Sequence, residues 1–360
     1  MAKLLKDLYN KTYLHVVIRE IKNVYDDFNL EAFESAVFDK DFKDKELKQR
    51  MRHISTCIGV LLPMSYEKSI DILKQVFPKI STKYNMENFI FQDFVEVYGL
   101  EDFKTSMSAL EVFTEGSSSE FAIRQFILKY PQETMKQMKK WTSSNSLHVR
   151  RLASEGCRSR LPWAIALKEF KTNPDEVIKI LELLKNDESA YVRKSVANSL
   201  NDISKDNPII AKKLAKKWLH VDKVRDDLVK HACRTLLKSG DKEVLELFGF
   251  TKPVSLHVEN FECSNEVKVG EYLEFSFLIN SQKNLGKLRL EYKLYFLRLN
   301  GTYGKKVFKI SELSSTCREK KINKKHSFKT ISTRKYYAGV QKIEIIINGV
   351  SYCDSEFRLN

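Results

Sequence analysis

Apolar side chains fall with two different periods along this chain, and the change from one to the other marks its organisation. In the first part the spacing is helical. Ile70, Ile72, Leu73, Val76 and Phe77 follow the i, i+3, i+4, i+7 rule of a helix with one buried face. Tyr25, Phe28, Leu30, Phe33 and Phe38 belong to an earlier helical region. Pro131, Pro162, Pro174 and Pro208 separate helical runs and are expected at helix starts, where a missing N–H leaves nothing unsatisfied.

After Phe250 the period becomes two. Val254 to Val258, Tyr272 to Ile279, Leu288 to Leu297 and Ile343 to Ile347 read as strands. Asn300-Gly301 and Asn348-Gly349 predict hairpins, because Asn-Gly accepts the positive φ of a type I′ turn. About seven short strands in some 105 residues fit an immunoglobulin-like sandwich, and without a Cys…Trp…Cys signature it is the disulfide-free kind. The expected division is a helical domain over 1–250 and a sandwich over 253–360, with Gly249 to Pro253 as linker.

A weak repeat runs through the helical part. Phe121-Ala122-Ile123-Arg124, Leu147-His148-Val149-Arg150 and Ala190-Tyr191-Val192-Arg193 each follow a Ser-rich or acidic cap, and Asp222-Lys223-Val224-Arg225 is a looser copy. The copies are spaced by about 26, 43 and 32 residues. Helical hairpins of this kind bury their apolar faces by stacking, which predicts HEAT-like repeats; a generic helical bundle is the competing architecture. The fold class is thus α plus β multidomain: a HEAT-like α-helical solenoid followed by an immunoglobulin-like β-sandwich.

Charge narrows the partner. Lys and Arg number 62 against 47 Asp and Glu, for a net charge of +15. That excess favours a polyanion, either nucleic acid or an anionic membrane surface. It is concentrated. Between Leu313 and Lys342 lie Arg318, Lys320, Lys321, Lys324, Lys325, Lys329, Arg334, Lys335 and Lys342 against the single acid Glu319, with His326, Phe328, Tyr336 and Tyr337 interleaved. Such a run binds phosphates with a steep salt dependence; its alternative role is to guard a sheet edge. In the helical part Lys136, Lys139, Lys140, Arg150, Arg151, Arg158 and Arg160 add to it, and Lys212, Lys213, Lys216 and Lys217 form a helix stripe.

Other chemistries find no motif. There is no G-x-x-x-x-G-K-[ST], G-x-G-x-x-G or G-x-S-x-G. The six cysteines form no C-x-x-C and no zinc-like pairing with His, so reduced thiols and no metal are expected. The charged start Met1-Ala2-Lys3-Leu4-Leu5-Lys6-Asp7 is not a signal peptide, and no apolar run approaches the ~20 residues of a membrane span. A soluble cytoplasmic protein, of the bacterial cytosol or nucleoid, is expected, with no cofactor and no membrane partner.

The most specific stretch is His148-Val149-Arg150-Arg151-Leu152-Ala153-Ser154-Glu155-Gly156-Cys157-Arg158-Ser159-Arg160-Leu161-Pro162-Trp163-Ala164, followed by Tyr191 to Ile203. Arg151 and Glu155 share a helix face at i, i+4. Gly156 ends that helix, Arg158 and Arg160 lie in the turn, and Pro162 is expected to open the next helix with Trp163 just inside it. Glu155 then stands at a helix C-terminus, which disfavours its charge, and nearby arginines would offset that. Asn198 and Asp202 repeat the i, i+4 geometry one unit later, so stacked repeats would line up Glu155, Trp163 and Asp202 along one groove.

These stretches, and the helical-plus-sandwich layout around them, resemble the AlkC branch of the AlkC/AlkD alkylpurine DNA glycosylases. The resemblance covers nearly the whole chain, and the Val-Arg-Arg-Leu-Ala-Ser-Glu-Gly…Arg-Leu-Pro-Trp-Ala run carries it. It implies a monofunctional DNA glycosylase, working as a monomer, that excises cationic bases such as 3-methyladenine and 3-methylcytosine from duplex DNA without base flipping. A cationic base needs no general acid; what remains is to stabilise an oxocarbenium-like sugar and supply water. The resemblance gives Glu155 and Asp202 as carboxylates beside the damaged nucleotide, Trp163 as an aromatic wall acting through cation–π attraction, Glu120 as a further acid, and Arg151 and Arg158 as phosphate ligands. The segment from Arg318 to Lys335 is expected to bind the duplex through the sandwich.

Each residue also has a structural reading. Glu120 follows Ser117 as in a capping box, Glu155 can simply pair with Arg151, Trp163 can be core, and Asp202 can sit on a solvated helix end. Arg150 and Arg193 are expected to be repeat residues, and Trp141 and Trp218 have no assigned role. The competing function is a non-enzymatic HEAT-repeat DNA-binding scaffold or damage sensor; a protein-interaction solenoid explains neither the basic run nor the motif.

Overall fold

A computed structural model describes residues 4–63, 65–331 and 334–360. The first three residues of the charged start lie outside them. Among the described residues there are sixteen α-helices: α1 Lys11–Lys22, α2 Leu30–Val37, α3 Leu47–Leu61, α4 Tyr66–Ile80, α5 Phe89–Tyr98, α6 Phe103–Phe113, α7 Ile123–Lys129, α8 Pro131–Trp141, α9 Leu147–Gly156, α10 Lys168–Thr172, α11 Asp175–Leu184, α12 Ala190–Asp206, α13 Pro208–Trp218, α14 Lys223–Ala232, α15 Arg234–Ser239 and α16 Lys242–Leu247. Eight strands follow: β1 Leu256–Cys263, β2 Glu266–Val267, β3 Tyr272–Ser281, β4 Gly286–Leu297, β5 Tyr303–Ser315, β6 Glu319–Ser327, β7 Gly339–Ile347 and β8 Val350–Leu359. No helix among the described residues is long and apolar enough to cross a membrane.

The chain forms two compact units, Met1–Ala211 with Trp218–Ala232, and Lys212–Lys217 with Cys233–Asn360. The strand-bearing unit therefore takes in α15 and α16, which the expected division at residue 250 assigns to the helical part. Within it, Asn348 donates to the Thr251 carbonyl at 2.7 Å, and a Cβ on Gly349 would meet Leu245. These contacts tie the linker and α16 to a strand turn.

The helices follow from capping and periodicity. Ser146 caps α9 by accepting from the amides of His148 and Val149. Asp102 and Asp241 cap α6 and α16 in the same way. The clearest duplication is one the Val-Arg pattern does not reveal. Helices α8 and α13 each have 11 residues, begin on Pro and end on Lys-Lys-Trp. Both indoles are buried and both N–H groups reach a glutamate of an earlier helix: Trp141 to Glu111 at 2.8 Å and Trp218 to Glu182 at 3.1 Å. This supplies the role that Trp141 and Trp218 lack in the sequence.

The second unit is a sandwich of a three-stranded sheet, order β1-β3-β6, and a five-stranded sheet, order β2-β8-β7-β4-β5. Leu273, Phe275, Phe277 and Ile279 alternate inward from β3 and meet Leu288, Leu290 and Leu294 of β4 and Ile343, Ile345 and Ile347 of β7. All six cysteines are free. The two Asn-Gly pairs behave differently. Asn348 and Gly349 both have positive φ, 46° and 78°, and join the paired residues Ile347 and Val350 as a two-residue hairpin, as predicted. Between the paired residues Leu297 and Tyr303 the connection is longer, and only Gly301 has positive φ, at 76°. There Asn300 stays on the other side of the map because its side chain accepts from the amide and hydroxyl of Thr302.

Two stability outcomes follow. Trp141→Phe and Trp218→Phe keep most of the apolar volume and delete the indole donor, so each should lower stability by about 2 kcal/mol in urea unfolding. Gly301→Ala meets no atom within 4 Å and should cost only the left-handed backbone penalty, about 1 kcal/mol. Gly349→Ala adds a 2.6 Å clash with Leu245 to the same penalty and should cost clearly more. Equal midpoints for the two glycine variants would contradict this account.

Candidate active site

Helix α9 presents two arginines on opposite duties. Arg150 is 8% exposed, bonds Asp187 at 2.6 Å and Glu188 at 3.2 Å, and donates to the carbonyls of Ser144 and Asn145. Arg193 donates to the carbonyls of Asp187 and Glu188. Both are repeat residues that fasten turns, as expected. Arg151 faces the other way. It pairs with Glu120 at 2.5 Å and with Glu155 at 3.4 Å, donates to Ser118 Oγ at 2.7 Å, and lies 5.1 Å from the Tyr191 ring.

From Glu155 the charges continue inward. Arg158 reaches Glu155 Oε1 at 2.5 Å with one nitrogen and Asp202 Oδ2 at 2.8 Å with two others. Lys205 closes the row on Asp202 Oδ1 at 2.9 Å. The order is therefore Glu120, Arg151, Glu155, Arg158, Asp202, Lys205, with acid and base alternating. Glu155, Arg158 and Asp202 are only 5%, 6% and 1% exposed. The packing of α12 against α9 brings Asp202 to this row. Burial works to lower the Arg158 pKa, but the attraction of Glu155 and Asp202 outweighs it and the net direction is upward.

The expected helix start at Pro162 is absent. Pro162 to Leu167 is a loop, and α10 begins at Lys168. Its path is set by Arg124, which is wholly buried and donates to the carbonyls of Gly156, Arg158 and Ile165, each at 2.8 Å. Of these carbonyls, that of Ile165 lies in the stretch expected to be helical, and those of Gly156 and Arg158 lie in the turn before it. Burial depresses the Arg124 pKa to about 10. On this loop Trp163 has a φ of 63° and is 62% exposed, so it is neither core nor helical. Lys48 of α3 donates to the Trp163 carbonyl.

Three further readings change. Glu120 makes no capping box with Ser117, since its carboxylate is taken by Arg151 and by the Ser118 hydroxyl at 2.9 Å. Arg158 does not offer itself to a phosphate, because its guanidinium is buried between two carboxylates. Asp202 is not on a solvated helix end. Arg124 and Lys48 also contact this region, outside the most specific stretch, and Tyr191 opens the second part of that stretch without a role assigned to it. Arg124 stands at the repeat's Ile-Arg position, which is the one signal that could point to it. Tyr191 is 44% exposed, stands edge-on to His148 and lines a cavity of about 250 Å³ with Ser117, Glu120, His148 and Arg151.

Four of the nine basic residues of the run, Lys320, Lys321, Lys324 and Lys325, lie on β6, an edge strand. Period two divides it. Lys321 and Lys325 share one face, while Lys320 and Lys324 have the parity of the buried Ile322 and His326. Lys325 pairs with Glu274 at 2.6 Å, and Arg334 stacks over Phe296 at 4.1 Å. Arg318, Lys320, Lys321 and Lys335 are exposed. In the helix stripe, Lys212 and Lys216 are both paired with Glu243.

Comparison with known proteins adds the family. Residues 117–236 match the family described as DNA alkylation repair enzyme, and residues 257–360 match the C-terminal Ig-like domain of the YhaZ proteins. YhaZ of Bacillus subtilis (strain 168) is 40% identical over 347 residues, 96% of each chain. The structure of the Pseudomonas fluorescens alkylpurine DNA glycosylase AlkC, bound to DNA containing an abasic site analog, superposes with a TM-score of 0.94 at 32% identity, over 99% of this chain and 100% of that one. The chain belongs to the AlkC-type alkylpurine DNA glycosylases, a family of DNA alkylation repair enzymes.

Proposed function

We propose that this protein hydrolyses the N-glycosyl bond of cationic alkylated bases, 3-methyladenine and 3-methylcytosine, in duplex DNA without extruding them. The observation that carries the reading is the buried row in which Glu155 and Asp202 are held by one guanidinium, on the unit that also carries an exposed Trp163. In the reaction the C1′–N bond breaks and its electron pair leaves with the base, discharging the base's positive charge. A cationic base departs without protonation. The positive charge passes to the sugar, where fixed carboxylates stabilise it. Water then adds to C1′ and gives up its proton to a carboxylate.

The residues divide by what they can reach. Glu120 has the most accessible of the three carboxylates, with 14% of its side chain exposed, against 6% for Glu155 and 2% for Asp202. Trp163 offers an indole face to the developing sugar cation. Arg158 holds Glu155 and Asp202 in register, and Arg151 does the same for Glu120 and Glu155. Arg318, Lys320, Lys321 and Lys335 supply phosphate contacts, with Lys324, Lys325 and Arg334 beside them, of which Lys325 and Arg334 are already engaged. The AlkC relative was captured on DNA containing an abasic site analog, which supports DNA as the partner.

Glu155→Gln and Asp202→Asn should each slow release of 3-methyladenine from methylated duplex by at least about 100-fold, with affinity for abasic-analog DNA retained. No release by the wild type, with DNA binding intact, would leave the non-enzymatic DNA-binding reading standing. Replacing Arg318, Lys320, Lys321 and Lys335 by Gln should flatten the dependence of log affinity on log salt by about 0.9 for each phosphate that is no longer neutralised. An unchanged slope would return the β6 lysines to edge protection alone.

A further inference from the structure

The loop that carries Trp163 is held at several points, and one of them comes from outside the Val-Arg repeats. Trp163 adopts a left-handed backbone conformation, with φ of 63°, which a large side chain adopts only when its surroundings impose it. On the far side Arg124 fixes the carbonyl of Ile165. On the near side the Trp163 carbonyl itself accepts from the Lys48 ammonium. Lys48 stands in the first turn of α3, and its ammonium lies 4.4 Å from the centre of the Phe121 ring. Phe121 in turn packs against Phe89, 5.3 Å away. The ammonium is thus located by two independent contacts, an aromatic face and a carbonyl.

We infer that Lys48 is a positioning residue for excision: by holding the Trp163 carbonyl it sets where the indole stands against the deoxyribose, so that α3 completes the site. The excision part of this inference rests on the function proposed above; the structural part does not. An indole meant to face a developing cation must be held within a fraction of an ångström, and small misplacements are costly in rate. Its own backbone conformation is unfavourable, so without an anchor the loop would relax. The surface lysine that supplies the anchor comes from residues that carry none of the recognisable motif.

The chain has three tryptophans, and Trp141 and Trp218 are buried at 2% and 0% exposure against 62% for Trp163. The difference in emission and anisotropy between the wild type and Trp163→Phe therefore isolates Trp163. Lys48→Met keeps an apolar stem over Phe121 and removes the donor. It should lower the Trp163 anisotropy and slow single-turnover excision of 3-methyladenine by about 10-fold or more, with affinity for abasic-analog DNA and the melting midpoint unchanged. Lys48→Arg, which can still donate to the carbonyl, should restore most of both.

An unchanged Trp163 anisotropy in Lys48→Met overturns the inference. So does a lowered anisotropy with wild-type excision. Weakened DNA affinity with a normal rate at saturating DNA would show Lys48 to be a phosphate ligand instead. If the wild type excises nothing, the proposed function fails and takes the catalytic role of Lys48 with it, while the anisotropy still decides whether Lys48 holds Trp163.

Discussion

The arrangement of the helical unit turns on Arg158, whose guanidinium sits buried between Glu155 and Asp202. Removing three ionised groups from water is expensive, and their mutual attraction repays it only when geometry and hydrogen bonding are nearly ideal. Several elements have to agree for that. Ser146 starts α9 so that Arg151 and Glu155 share a face. The chain then leaves the helix at Gly156, which lets Arg158 turn back onto Glu155. Helix α12 runs far enough for Asp202 to meet the same guanidinium. Replacing buried ion pairs by well-packed apolar side chains is often neutral or stabilising. A charged row running from half-buried Glu120 to buried Asp202 is therefore not explained by stability alone, which accords with the proposed chemistry.

The four Val/Ile-Arg positions show how one repeated residue is put to different uses. Arg150 ties the carboxylates of Asp187 and Glu188 to the carbonyls of Ser144 and Asn145, whereas Arg193 takes the carbonyls of Asp187 and Glu188. Arg225 is buried at the start of α14. Arg124 has the same place in its repeat, but the carbonyls it reaches are those of the loop that carries Trp163 and of the turn before it. The repeat supplies an arginine donor at each step, buried at Arg124, Arg150 and Arg225 and half-buried at Arg193, and at one step that donor holds the loop that carries Trp163. This is why the loop can be irregular without leaving these carbonyls unsatisfied.

Period and turn chemistry make much of the fold legible. The alternation from Tyr272 to Ile279 is β3, and Asn348-Gly349 is the two-residue turn its residues predict, because both effects act between near neighbours. Glu155 and Asp202 can be brought together on paper because stacked repeats preserve helix phase. What the sequence hides depends on residues distant along the chain. Pro162 reads as a helix start until Arg124 claims the surrounding carbonyls. Ser117 and Glu120 have capping-box spacing, but Arg151 offers Glu120 a charged partner and wins. Arg158 looks like a phosphate ligand because its own neighbourhood is basic; only the packing of α12 brings the acid that claims it. The duplicated Pro…Lys-Lys-Trp helices are readable in the sequence too, but the spacing of the Val-Arg pairs does not lead to them.

The charge distribution resolves an apparent conflict in the proposed chemistry. A protein with a net charge of +15 must attract a polyanion and yet stabilise a cation at its reacting centre. The two demands are met in different places. In the proposed binding, exposed lysines and arginines such as those flanking and lining β6 would act at long range on phosphates and be weakened by salt. The row from Glu120 to Lys205 alternates in sign, so its summed charge is nil, and its buried carboxylates act at short range where screening is poor. Within the row the guanidinium charge of Arg158 is tied up between the carboxylates of Glu155 and Asp202, so in the proposed reaction it opposes a sugar cation less than a free guanidinium would.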